Sequence, residues 1–486
     1  MLFHARILPL RQNSSITVCA AEGGGMEILM KINYGLKNGA VLQRDENNLC
    51  KCVFGAEASG EIKSSLGEIT KISDGVYSLE GILVGGPYDI SIFDDDGSVT
   101  LSDIYVGDLW LLAGQSNMEG SGKWREKYQK YDADPSPTVR AYYMNEAWGA
   151  AKSQLHQLWE SHDPQISVTF RNERKNSRWG AEFPQIQNNG VGPGLFFALE
   201  MQNRMGGVPQ GVIPCGVGGS GLWQWNPEGE NNLYSAALRR FRECGGNIKG
   251  IFWHQGEAQA MGCQHPTFNF EMERLASGIR RDFGNPNIPI VQVQLNKYVA
   301  SGPEIDQSWN QIREMQRTLE ERIDNLATVY SLDLDIDDLV HLSSESHEIL
   351  GVRAAEAMCV LIGEEGVPSP AFDSVEVVQD DYVPFFANVR INFKNVVGEL
   401  TAEGVPSGFY ILDSESGSPL RAISRTCLEG NSVRVKVEFD MDKLGEYYVG
   451  YGYGNNFYCN ITDSAKRSIP GFGPFKINDY LKKESN

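Results

Sequence analysis

The chain lacks any uninterrupted apolar run near the roughly 20 residues a membrane-spanning helix requires, so no membrane partner is expected. It is poor in positive charge: 43 Lys and Arg stand against 63 Asp and Glu, a formal charge of −20, which argues against nucleic acid as a partner. Cysteine offers little framework. The 9 cysteines are odd in number and scattered, and only Cys50 and Cys52 lie close together. A C-x-C pair without nearby Cys or His partners makes a poor metal site, so reduced structural thiols are expected. Repeats, low-complexity tracts and long flexible linkers are missing too. Residues 5–20 hold arginines and polar residues but no continuous apolar stretch, so no secretory signal is read. The expected location is the cytoplasm, with secretion as the alternative. Residues 1–26 read as a non-native or disordered leader, and Met26 as the natural start. Glu22–Gly25 is what a purine-rich ribosome-binding site would encode if translated in frame.

What is present is globular: 41% hydrophobic, 10% aromatic and 22% charged residues over 486 positions, enough for two to four domains. Residues 27–104 alternate short β-prone runs with turn residues, the pattern of a small β-sandwich. From 105 to 365 apolar strands (106–113, 211–217, 250–255, 288–295, 326–332) alternate with helical patterns (194–205, 232–244, 268–283, 309–323, 344–362). That rhythm predicts an α/β class: a three-layer α/β/α domain with a five-stranded parallel sheet, its active site at the strands' carboxyl ends. An aromatic, polar insertion at 120–190, with Trp124, Trp148, Trp159 and Trp179, reads as a binding loop. Residues 366–486 return to β-patterning and predict a second, C-terminal β-sandwich.

The chemistry centres on Gly114-Gln-Ser-Asn-Met118. The apolar strand ending at Ala113 is broken by Gly114, so Ser116 falls on the following turn, where a nucleophilic hydroxyl can stand clear of the sheet. A serine needs an imidazole to take its proton, and the imidazole needs a carboxylate on its other nitrogen. Asp338-Leu-Val-His341, after the fifth strand, supplies both, with Asp337 as a possible substitute for Asp338. Gly216–Ser220 after the second strand and Gln255 after the third offer backbone and amide donors for an oxyanion hole. His254 and His347 are rival bases. The first reads as a packed core histidine, the second as sitting at the exposed start of a helix, and His341 is preferred to both.

These motifs, with Trp225-Asn-Pro227 and Trp253-His-Gln-Gly-Glu257, resemble the SGNH-hydrolase superfamily and, more narrowly, the sialate O-acetylesterase family of carbohydrate esterases. Val41–Arg44, Val106–Trp110, Tyr451–Asn456 and Ile469–Phe475 extend the resemblance to nearly everything after Met26. It implies Ser116 as nucleophile, His341 as base and Asp338 as its orienter, with Ser116 N–H, Gly219 N–H and the Gln255 side chain as oxyanion donors. Two departures stand out. Ala258-Gln259 follows Glu257 where the family shows Ser-Asp, so the role of that acid reads as lost. Leu342 follows the histidine where Pro is usual, and the acids lie three and four residues before it rather than two.

The resulting expectation is a metal-free, cofactor-free serine esterase that removes acetyl groups from O-acetylated carbohydrate. Trp223 and Trp225 are candidate sugar platforms, while Trp110 and Trp253 read as core. Sialate is the expected substrate; xylan or xyloglucan acetate is the same-chemistry alternative, and a non-catalytic carbohydrate-binding protein the alternative of another class. Oligomeric state is not legible.

Overall fold

The structure, a computed structural model, describes residues 30–176, 189–299, 302–380, 386–413, 415–438 and 444–480. The leader expected at 1–26 and Trp179 lie outside the described residues. The chain divides into two compact units. One holds the residues up to Gly120 with Trp124–Phe252 and Arg274–Ile288; the other holds Ser121–Lys123, Trp253–Glu273 and Pro289–Asn486.

In the first unit the strand Ser98–Gly114 has two regimes. Its start alternates exposed and buried residues, with Val99 and Leu101 entering an apolar core; from Ile104 onward every residue is buried. A sheet covered on one face alternates, and a sheet covered on both reads as one apolar run. The strand therefore passes through position 104/105 without a break, with Asp103 (φ 61°) between the two regimes. The N-terminal core is closed by an antiparallel sheet in the order Lys31–Tyr34, Leu49–Glu57, Val76–Leu83, Glu68–Ser73. Cys50 and Cys52 point into this core beside Phe54, and burial pushes the Cys50 thiol up to about 11. Val41–Gln43 runs parallel to Tyr105–Gly107. Arg44 then donates to both oxygens of Asp108, at 2.9 and 2.7 Å, and Leu109 N donates to Gln43 Oε1 at 2.7 Å. A fully buried carboxylate requires such pairing, so two sequence-distant motifs are one structural joint.

The expected strands all form, yet the sheet of the first unit is mixed rather than purely parallel. Its order is Trp148–Ala150, Val139–Tyr142, Gln210–Pro214, Ser98–Gly114, Gly250–His254. Val139–Tyr142 pairs parallel with Gln210–Pro214, but Trp148–Ala150 is antiparallel, as is Gly85–Phe93 on the outer half of Ser98–Gly114. The predicted insertion thus contributes a hairpin to the sheet. In the second unit Ile290–Gln294 and Leu326–Tyr330 pair in parallel. Helices Pro193–Arg204, Leu233–Glu243, Phe268–Asp282, Pro303–Thr318 and Ser344–Leu361 fall close to the positions expected.

The C-terminal strands form an antiparallel sheet (Ala371–Gln379, Phe386–Lys394, Ser432–Glu438, Ile423–Glu429) and a three-stranded one (Phe409–Leu412, Tyr448–Tyr451, Phe472–Lys476) around one core that includes Ile391, Phe393, Val435, Ile411 and Phe472. Within the second unit they are tied to the helix Pro303–Thr318. Arg313 donates to the carbonyls of Gly452 and Gly454, 2.5 Å each, and Gln294 exchanges two 2.8 Å bonds with the backbone of Gly471. The glycines of Tyr451–Asn456 are explained by this: Gly452 and Gly454 both take φ 78°.

Candidate active site

In the first unit, Gly114 adopts φ 137°, open to glycine, and turns the chain off the strand end. Ser116 follows as the first residue of the short helix Ser116–Glu119, in which Gln115 O accepts from Met118 N and Glu119 N at 2.8 Å. Asn117 and Met118 are buried and pin this turn down, whereas Ser116 is half-buried. The glycine turn is bonded to the same strand end: Val217 N donates to Gly114 O at 3.1 Å and Ser220 Oγ to Gly114 O at 3.3 Å. Gly218 N donates to Glu119 Oε2 at 2.6 Å. Gly219 is exposed at φ 69°, and its N–H donates to no group among the described residues.

Of the two candidate sugar platforms, Trp223 is 50% exposed, while Trp225 is 2% exposed and donates its indole N–H to Ser220 Oγ at 3.1 Å. Trp225 thus braces the glycine turn, and Trp223 has the open ring face. Beneath the nucleophile turn lies His156, buried against the backbone of Leu112 and Glu119. Burial, reinforced by Arg240, drives its pKa down to about 3, so it is a neutral prop.

In the second unit, His341 Nδ1 and Asp338 Oδ2 are 2.7 Å apart. A carboxylate only accepts, so Nδ1 carries the proton and donates it to Asp338, which orients the imidazole. Asp338 Oδ1 accepts from Val340 N and His341 N, both at 2.8 Å, which fixes the loop. Burial alone would raise the Asp338 pKa; the hydrogen bond and charge of His341, with the two backbone donors, instead bring it down to about 2. Asp337 Oδ2 accepts from Lys123 N at 3.1 Å, and its own N donates to His341 O at 2.8 Å.

Both rival histidines are buried. His254, beside Glu257 at 3.7 Å, is held below the usual histidine range by burial, which outweighs the carboxylate. The reading of His347 at an exposed helix start is corrected: it is 0% exposed, because the first turn of Ser344–Leu361, capped by Ser343, faces inward. Burial first, then His254 and His341, keep it neutral. Only His341 among the three has an accessible ring, at 26%.

Gln255 is buried at the end of Gly250–His254, where Gly256 (φ 145°) turns the chain into Glu257–Met261. Its backbone carbonyl accepts from Gln316 Nε2 at 3.0 Å. Its Nε2 donates to Gln259 Oε1, and Gln259 is itself fully buried. The departure at Gln259 therefore keeps an acceptor where the family has an acid. An amide nitrogen carries two hydrogens, and the bond to Gln259 uses one of them.

Glu119, His156 and Gln259 were not singled out from sequence as parts of the site. Glu119 had one signal, its place one helical turn after Ser116; Gln259 stood out only as a departure, and His156 had no signal.

The first unit thus carries a serine on a strand-to-helix turn bonded to a glycine turn, and the second a histidine held by an aspartate on a loop. A sequence model of the family described as carbohydrate esterase, sialic acid-specific acetylesterase matches residues 106–360, just over half of the chain, and the chain belongs to that family. A probable carbohydrate esterase of Arabidopsis thaliana is 27% identical over 273 residues, 53% of this chain and 92% of its own length. The crystal structure of a carbohydrate acetylesterase from Xanthomonas citri matches over 91% of this chain and 99% of that one, with a TM-score of 0.69 at 20% identity, a likeness of fold. A solved Arabidopsis thaliana protein matches over 52% and 97%, at 26% identity and a TM-score of 0.40.

Proposed function

We propose that this carbohydrate esterase removes O-acetyl groups by a two-step serine mechanism, with sialate as the acetylated sugar. Ser116 Oγ attacks the acetyl carbonyl carbon while His341 Nε2 takes the hydroxyl proton, a transfer that requires the two atoms to come within hydrogen-bond reach. Ser116 N–H, Gly219 N–H and Gln255 Nε2 hold the oxyanion. The bond to the sugar oxygen then breaks, His341 returns its proton to that oxygen, and an acetyl-enzyme remains. Water, deprotonated by His341, attacks the acetyl-enzyme; acetate leaves and Ser116 regains its proton. Asp338 fixes the tautomer throughout, and Trp223 offers its ring to the sugar.

The observation that carries this reading is the 2.7 Å contact of Asp338 with His341 Nδ1, in a family of acetylesterases. Acetate release from a panel of O-acetylated sialic acids, acetylxylan and acetylated xyloglucan tests it. Preference for the sialic acids is the expected result. Release only from the plant polysaccharides would replace the substrate, and release from none, nor from an aryl acetate, would leave a carbohydrate-binding protein.

A further inference from the structure

Glu119 has no part in the mechanism above, yet its carboxylate lies where the nucleophile turn meets the glycine turn. At 2.6 Å, the bond from Gly218 N to Glu119 Oε2 is shorter than an ordinary N–H···O contact, as a charge-assisted bond is. A Cβ on Gly218 would come within 2.9 Å of that oxygen, so glycine permits the approach. With Val217 N and Ser220 Oγ both bonded to Gly114 O, the turn is held at every residue from Val217 to Ser220 save one. The exception is Gly219.

Resting on the reading of Ser116 as nucleophile and Gly219 N–H as oxyanion donor, we propose that Glu119 is a positioning residue for the oxyanion hole. By taking the Gly218 N–H it locks the turn in the one conformation that leaves the next N–H for the substrate. Glu119 need touch no reacting atom. Its acceptor oxygen is what the site uses; its negative charge works against a nearby oxyanion, because like charges repel most where water is excluded. Acceptor and charge can therefore be separated. Glutamine at 119 keeps a carbonyl oxygen at the same reach without the charge. Aspartate keeps the charge but falls one methylene, about 1.5 Å, short of Gly218.

The test uses the full chain and an aryl acetate, with kcat and KM measured separately, active sites counted by an organophosphonate, and melting temperature recorded for each variant. Glu119→Gln is expected to keep kcat within about threefold of the wild type or to exceed it. Glu119→Asp is expected to lower kcat per active site by about 10²-fold with KM within about threefold, the signature of a misplaced transition-state donor. A residue that only supported the fold would lower melting temperature and the count of active sites, leaving kcat per site unchanged. That result, or an aspartate variant as active as the glutamine one, overturns the proposal. Ser116→Ala serves as the control for the underlying reading. If it retains activity, the esterase reading falls and takes the proposal with it; if it is dead while Glu119→Asp is fully active, only the role of Glu119 falls.

Discussion

Replacing Asp338 by asparagine separates two functions that one carboxylate now combines. Asp338 Oδ2 holds the imidazole at 2.7 Å, and Oδ1 accepts the two loop N–H groups at 2.8 Å. Asparagine has a single acceptor. If that oxygen keeps the loop, the NH₂ group faces His341 Nδ1, which must then give up its proton to Nε2 and can no longer accept one from Ser116. If the oxygen faces the ring instead, the NH₂ group meets two backbone donors. The wrong tautomer costs about 10⁴ in turnover in a triad, or about 5.4 kcal/mol of transition-state stabilisation. The effect on stability is of another order: the Asp338 side chain is 51% exposed, so solvent screening limits its pairing to about 1 kcal/mol or less. Aryl acetate turnover and melting temperature should therefore diverge, with activity nearly gone and the fold kept. Asp337→Asn, which alters the carboxylate bonded to Lys123 N, should cost far less turnover. Activity in Asp338→Asn above about one per cent of the wild type, or a greater loss in Asp337→Asn, would refute the reasoning.

Gln259→Leu removes the acceptor that holds Gln255 and should lower kcat by about 10²-fold with little change in KM, whereas Gln259→Glu, which keeps an acceptor, should lose less; equal losses in steady-state kinetics would contradict this. His156 predicts acid sensitivity. Its folded pKa of about 3 lies below its ordinary 6.5, so the unfolded chain takes up the proton first. The stabilisation is whole above 6.5 and declines as pH falls toward 3, by up to about 1.4 kcal/mol per pH unit. Denaturant midpoints measured between about pH 4 and 7 should fall less steeply with acid in His156→Gln than in the wild type; parallel slopes would exclude the effect.

Much of the architecture could be read from local pattern. Ile104–Ala113 is apolar apart from Asp108, which Arg44 pairs, because both faces of its sheet are covered, and Gly114 marks the turn that presents Ser116. What escaped depends on pairing between distant segments. Val139–Tyr142 is too short, and too interrupted by Arg140, to stand out, and becomes a strand only through Gln210–Pro214 and its hairpin partner Trp148–Ala150. His347 looks like a surface residue by composition, and which face of its helix is covered is set by tertiary packing. Gln259 replaces an acid and so reads as a loss, until its oxygen is found on Gln255. Asp338 and Asp337 are equivalent in sequence; the bonds of Asp338 to Val340 N and His341 N show which carboxylate the loop turns toward the ring.

The central claim is that Ser116 carries the acetyl group between the two steps. Acid quench of the enzyme during its first turnovers on an aryl acetate, followed by peptide mass spectrometry, tests this directly. An acetyl group on the peptide containing Ser116, absent in Ser116→Ala together with all turnover, is the predicted result. Acetylation of another residue, or turnover that persists in Ser116→Ala, would contradict it.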